Sequence, residues 1–92
     1  MPITAFFDVP GMSAKQYDQT IAALEAKGLG APDGRLYHVA WSTPDGWCVL
    51  DVWESEEKLG QFAEALVPII LGIGATPPKP QIYPAYNIIE GS

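Results

Sequence analysis

Two β-rich runs, Arg35 to Thr43 and Gly46 to Trp53, flank the tripeptide Pro44-Asp45-Gly46. That arrangement signals a β-hairpin, and a hairpin fixes which side chains share a face. If Thr43 to Gly46 form the loop, Ser42 pairs with Trp47, Ala40 with Val49, His38 with Asp51 and Leu36 with Trp53. One face then carries Leu36, His38, Ala40, Trp47, Val49, Asp51 and Trp53, and the other carries Tyr37, Val39, Trp41, Cys48, Leu50 and Val52. Only an odd-length loop or a bulge would separate these sets. Neither set is polar enough to be left in water. The second, free of polar groups, is expected beneath helices. The first, with two Trp, a His and an Asp, is expected to need a cover of its own.

The remaining segments supply the helices and two more strands. Ile3 to Val9 is rich in β-branched and aromatic residues and stops at Pro10-Gly11, as a strand does. Ser13-Ala14-Lys15-Gln16 is a capping box, in which the Ser hydroxyl and the Gln side chain each satisfy a free backbone N–H. Met12 and Tyr17 occupy staple positions. Tyr17, Ile21 and Leu24 mark one helical face, which should end at Gly28 or Gly30. A second helix starts at Ser55, with Glu56 and Glu57 favoured in its first turn by the helix dipole. Its stripe runs through Leu59, Phe62, Leu66 and Ile69 or Ile70, and Pro68 is expected to kink or break it near Ala65 to Val67. Thr76 to Pro80 is a stiff connector, and Gln81 to Glu90 is expected to form a last strand, with Pro84 marking an edge or a bulge.

The order β-α-β-β-α-β describes an α+β, ferredoxin-like fold: a four-stranded antiparallel sheet with two helices on one face. Residues 1–92 are too few for two cores, so a single domain is expected. A domain this small buries only about 60% of the surface its unfolded chain exposes. The usual supplements are disulfides, metals or partner subunits. One Cys and one His exclude a disulfide and a four-ligand zinc site. A second copy of the chain is therefore the expected cover for the second sheet face.

Eleven acids against four Lys and one Arg give a net charge of −6. Nucleic-acid binding and an anionic membrane surface are both disfavoured by that balance. The longest uncharged stretch, Ala65 to Pro78, is too short to span a bilayer, and Met1-Pro2-Ile3-Thr4 lacks the basic region of a secretory signal. A cytoplasmic protein with a free thiol is expected.

Three short motifs, Asp8-Val9-Pro10-Gly11, Asp51-Val52-Trp53-Glu54-Ser55 and Tyr83-Pro84-Ala85-Tyr86-Asn87, together with the element order and length, resemble the dimeric α/β-barrel superfamily. The likeness is to its small antibiotic-biosynthesis-monooxygenase-like members and covers nearly the whole chain. It implies a homodimer with one small-molecule pocket per subunit between sheet and helices. Relatives include cofactor-free monooxygenases of aromatic polyketides, haem-degrading enzymes, isomerases and lyases. The haem-degrading branch pairs an Asn, a Trp and a His. Here Asn87 and His38 stand in the wrong chain order, so those roles do not transfer.

His38 and Asp51 are the candidate catalytic pair. A carboxylate facing an imidazole fixes its tautomer and suits it to act as a general base. The bland alternative is a cross-strand pair satisfying two half-buried polar groups. Trp47, Trp53, Tyr86 and Phe6 are candidate substrate contacts, and core or interface roles compete for each. Asp8 is expected to support the turn at Pro10-Gly11, and Cys48 to lie on the helix-covered face as a small hydrophobe. No P-loop, dinucleotide fingerprint or metal-ligand spacing occurs, so no cofactor is expected. Haem with His38 as axial ligand is the alternative. These residues suit a cofactor-independent monooxygenase or isomerase acting on a hydrophobic or aromatic substrate. The alternative is a non-catalytic ligand-binding or structural homodimer.

Overall fold

The computed structural model describes residues 1–91. Six elements follow in order: β1 (Ile3–Pro10), α1 (Ala14–Ala26), β2 (Arg35–Thr43), β3 (Gly46–Trp53), α2 (Glu56–Ile73) and β4 (Gln81–Pro84). The strands form one antiparallel sheet in the order β2-β3-β1-β4, the ferredoxin-like arrangement expected for this chain.

Local chemistry accounts for the element ends. The capping box forms, with Gln16 N–H donating to the Ser13 hydroxyl at 3.1 Å and Ser13 N–H to Gln16 Oε1 at 3.0 Å. Such a cap is worth about 1 kcal/mol. Beyond Lys27 the chain turns through Gly28 at φ +76°, where a side chain would be strained. Ser55 caps α2 by accepting from Lys58 N–H at 3.2 Å. The hairpin register is the expected one for Ser42–Trp47, Ala40–Val49 and His38–Asp51, and pairing continues to Thr43–Gly46, leaving Pro44-Asp45 as the turn. Gly46 is required by close approach, because a Cβ there would lie 2.3 Å from the Val9 carbonyl oxygen.

Three expectations are corrected. α2 continues through Pro68 as one helix to Ile73 rather than breaking near Ala65 to Val67. One missing N–H is outweighed by the stripe that buries Leu59, Phe62 and Ile70 against the sheet. The last strand stops at Pro84 instead of reaching Glu90: its pairing with β1 ends at Ile3–Pro84, and one further backbone bond, from Ala85 N–H to the Pro2 carbonyl at 2.9 Å, closes it. A bulge between Arg35 and Tyr37 places Arg35 opposite Trp53, and Leu36, expected there, is turned out and 55% exposed.

The largest correction concerns the faces. The helices cover the set containing His38, Trp47, Asp51 and Trp53, not the aliphatic set. Ala5, Phe7, Val9 and Trp53 form one core with Leu24 of α1 and Leu59 and Phe62 of α2. Trp53 is fully buried, its ring 5.2 Å from that of Phe62. Cys48 consequently lies on the outer face, against expectation, beside Asp8 and next to the Trp41–Phe6 ring pair. Polar groups that satisfy one another cost little to bury, so His38 and Asp51 do not keep their face out of the core.

Candidate functional site

His38 on β2 and Asp51 on β3 are direct cross-strand partners, which fixes their separation before any side chain turns. His38 Nδ1 lies 2.6 Å from Asp51 Oδ1. The other carboxylate oxygen accepts from Trp53 Nε1–H at 3.1 Å. An ionised carboxylate only accepts, so Nδ1 carries a proton. In the neutral imidazole Nε2 is then an acceptor. The Tyr17 hydroxyl, reaching down from α1, lies 2.6 Å from it and donates. Four side chains from three elements thus form one line: Tyr17, His38, Asp51, Trp53. The Asp51 side chain is 5% exposed and that of His38 22%, so the line runs from the core toward a partly open end.

Stacking holds the open end in place. The Tyr17 ring lies 5.1 Å from the Trp47 ring and 6.1 Å from the His38 ring, nearly parallel to the latter. Burial pushes the Tyr17 phenol above its ordinary value of 10.0, with Arg35 opposing and Asp51 and Asp18 adding to the rise. The hydroxyl therefore keeps its proton at neutral pH. Beside it, between sheet and helices, is a cavity of about 60 Å³ lined by Tyr17, Thr20, His38, Asp51 and apolar groups of both layers. That is space for a few water molecules.

The structure brings four of the six sequence-derived candidates together. His38 and Asp51 reach the cavity. Trp47 and Trp53 do not line it, but hold Tyr17 and Asp51 respectively. Phe6 and Tyr86 lie away from the site. Phe6 packs on Trp41 on the outer face, and Tyr86, 99% exposed, borders an open trough there of about 890 Å³. Tyr17 is the member that strand register does not reveal. Its sequence signal, a staple position on an amphipathic helix, is one that many core residues share.

One further expectation resolves differently. The Asp8 carboxylate accepts from the Cys48 thiol at 3.7 Å, while backbone bonds from Gly11 and Met12 hold the Pro10-Gly11 turn. Burial and the neighbouring Asp8 push the Cys48 thiol up, which makes it a poor nucleophile. Haem does not fit at His38: both ring nitrogens are engaged, and the cavity beside them is far smaller than a porphyrin. Among the described residues no group of three or more His, Cys, Asp or Glu could hold a metal ion, and no helix is long and apolar enough to cross a membrane.

No protein-family model matches the chain, and no curated protein matches it in sequence. Solved structures do match. A candidate antibiotic biosynthesis monooxygenase from Deinococcus radiodurans superposes with a TM-score of 0.62 at 16% identity, over 100% of this chain and 99% of that one. SnoaB, a cofactor-independent oxygenase from Streptomyces nogalater, gives 0.61 at 12% identity over 98% and 96%. The ActVA-Orf6 monooxygenase of Streptomyces coelicolor, solved with nanaomycin D, gives 0.58 at 17% over 99% and 92%. At these identities the likeness is one of fold, and it extends across the whole ferredoxin-like unit.

Proposed function

We propose that this chain, built on the fold of the antibiotic-biosynthesis monooxygenases, is a cofactor-independent enzyme of the monooxygenase or isomerase type. Its substrate is a small hydrophobic or aromatic molecule. The observation that carries this reading is the hydrogen-bonded line from Tyr17 through His38 to Asp51 at the wall of an apolar cavity. It provides a base, a group that orients the base, and a hydroxyl hydrogen-bonded to the base.

As a substrate proton passes to the Tyr17 oxygen, Tyr17 hands its own proton to His38 Nε2, and Asp51 stabilises the imidazolium. In an isomerisation the proton returns to a different carbon. In an oxygenation the substrate anion reduces dioxygen, a carbon-bound hydroperoxide forms, and loss of water leaves a carbonyl. The net change is CH₂ + O₂ → C=O + H₂O, with every electron supplied by the substrate. SnoaB, named a cofactor-independent oxygenase, and ActVA-Orf6, which holds nanaomycin D, lend this chemistry support by analogy. Trp47 and Trp53 serve as supports for Tyr17 and Asp51.

A second copy is the proposed cover for the outer face, where Tyr37, Trp41 and Tyr83 are 59%, 40% and 60% exposed. The 92 residues then act as one domain within a homodimer. The smallness of the cavity favours a second reading, a non-catalytic ligand-binding or structural homodimer. A cavity of about 150 Å³ is known to admit benzene, so an aromatic ring enters here only if lining side chains shift.

The test is oxygen uptake and product analysis with a panel of dihydroxynaphthalenes and anthrones, without added cofactor. Turnover should fall about 10²-fold or more in His38→Ala and Asp51→Asn, with the fold retained by circular dichroism. Equal turnover in both variants would remove His38 and Asp51 from the chemistry, and no turnover in the unmodified protein would leave the non-catalytic reading.

A further inference from the structure

Among the described residues, Trp47 Nε1 is the one buried side-chain nitrogen or oxygen without a hydrogen-bond partner. A buried N–H left unpaired has given up water and gained nothing, so the indole holds this position at a cost. Its neighbours give the position a meaning. Trp47 is the cross-strand partner of Val9 and stands two residues before Val49 on the same sheet face, and both valines line the inner cavity. Its ring also lies 5.1 Å from that of Tyr17, a third lining residue. Yet Trp47 itself borders a different space, an open cleft of about 400 Å³ between the hairpin turn and the start of α1. Met12 borders both spaces. The indole and Met12 therefore stand as a partition, with the cavity of about 60 Å³ on one side and the cleft on the other.

We propose that Trp47 is a movable plug that sets which ligands the cavity accepts, swinging into the cleft to admit an aromatic ring between sheet and helices. This rests on the reading of the cavity as a ligand site and names the residue that decides its size. The closed cavity is well below the roughly 150 Å³ that admits benzene, so the space must come from a neighbour, and Trp carries the largest side chain. The swing gives up the stack on Tyr17 but frees the N–H to meet water or the hydroxyls of Ser42 and Thr43, which border the cleft. The two changes offset, which keeps the open position within reach. Trp53 has no such freedom, since its N–H is committed to Asp51 and its ring is fully buried. Met12, unbranched, refits around either position. The space uncovered is walled by Val9, Met12 and Val49, so it takes the ring of a ligand rather than its polar groups.

Hydrogen exchange of the indole N–H groups, followed by proton–nitrogen NMR, tests the plug without a ligand. The Trp47 N–H should exchange at least tenfold faster than that of Trp53, which is released only when the core opens. The ligand arm titrates 1-naphthol by calorimetry under nitrogen. The unmodified protein should bind it, with the Trp47 N–H signal shifted and its exchange faster still. Trp47→Leu should bind at least tenfold more tightly, because the share of molecules in the open position no longer limits binding. Trp47→Phe, which keeps a ring on Tyr17, should fall between the two, and it decides the question if Trp47→Leu fails to fold by circular dichroism. Exchange no faster than at Trp53, binding that leaves the Trp47 N–H signal in place, unchanged affinity in a folded variant, or binding by the variants alone would each overturn the plug while leaving a ligand site. Binding by neither the unmodified protein nor the variants would overturn the plug together with the ligand-site reading.

Discussion

The Tyr17 hydroxyl lies 2.6 Å from Nε2 of His38, a contact between helix α1 and strand β2 that spans 21 positions of sequence. It joins a surface helix to a half-buried cross-strand pair, and its direction follows from the Asp51 carboxylate on the other side of the imidazole ring. Its consequences for pH, stability and assembly can be measured.

Because burial raises the Tyr17 phenol above 10.0, the folded chain holds that proton more tightly than the unfolded chain does. The associated stability is complete below the unfolded value and is lost as pH rises through the folded one. Urea denaturation between pH 8 and 12 should show stability falling above about pH 10, and the fall should be shallower in Tyr17→Phe. Identical slopes would mean that Tyr17 ionises as freely in the folded state as in the unfolded one.

Trp53 anchors the other end of the line, fully buried with its N–H on Asp51. Trp53→Phe removes that donor and leaves a void beside Phe62. The expected loss is about 2–4 kcal/mol, from an unpaired carboxylate oxygen and lost volume together. Adding Asp51→Leu should not recover it in chemical denaturation, since the His38 Nδ1–H then loses its own acceptor.

Pro68 is exposed inside α2 and supplies no N–H for the carbonyl of Glu64, four residues earlier. Pro68→Ala restores that bond and should stabilise the protein by about 1–3 kcal/mol. Thermal denaturation reads it directly. A lower melting temperature would show that the ring itself makes contacts the helix needs.

Trp41 lies 40% exposed on the outer sheet face against Phe6. If a second copy covers this face, Trp41→Glu places a carboxylate at the interface and should weaken self-association by tenfold or more. Sedimentation velocity at micromolar concentration measures it. A monomeric unmodified protein would remove the proposed homodimer altogether.

Much of this site is legible without coordinates. Partner numbers from one hairpin place His38 against Asp51, because a two-residue period leaves no freedom once the turn is known. Tyr17 is different. Its meeting with His38 depends on how far α1 leans over β2, which no local pattern encodes. The bulge at Leu36 is equally non-local, and so is the early end of β4.

The sequence by itself determined the six elements, the Ser13 and Ser55 caps, the turn and the pairing, since capping, turn chemistry and register act over a few residues. Only the tertiary structure decided which sheet face the helices would cover. Counting apolar side chains favours the aliphatic face, because each polar group is then charged its full cost of leaving water. In the folded chain Tyr17, His38, Asp51 and Trp53 satisfy one another, that cost largely disappears, and the face with the two tryptophans becomes the core.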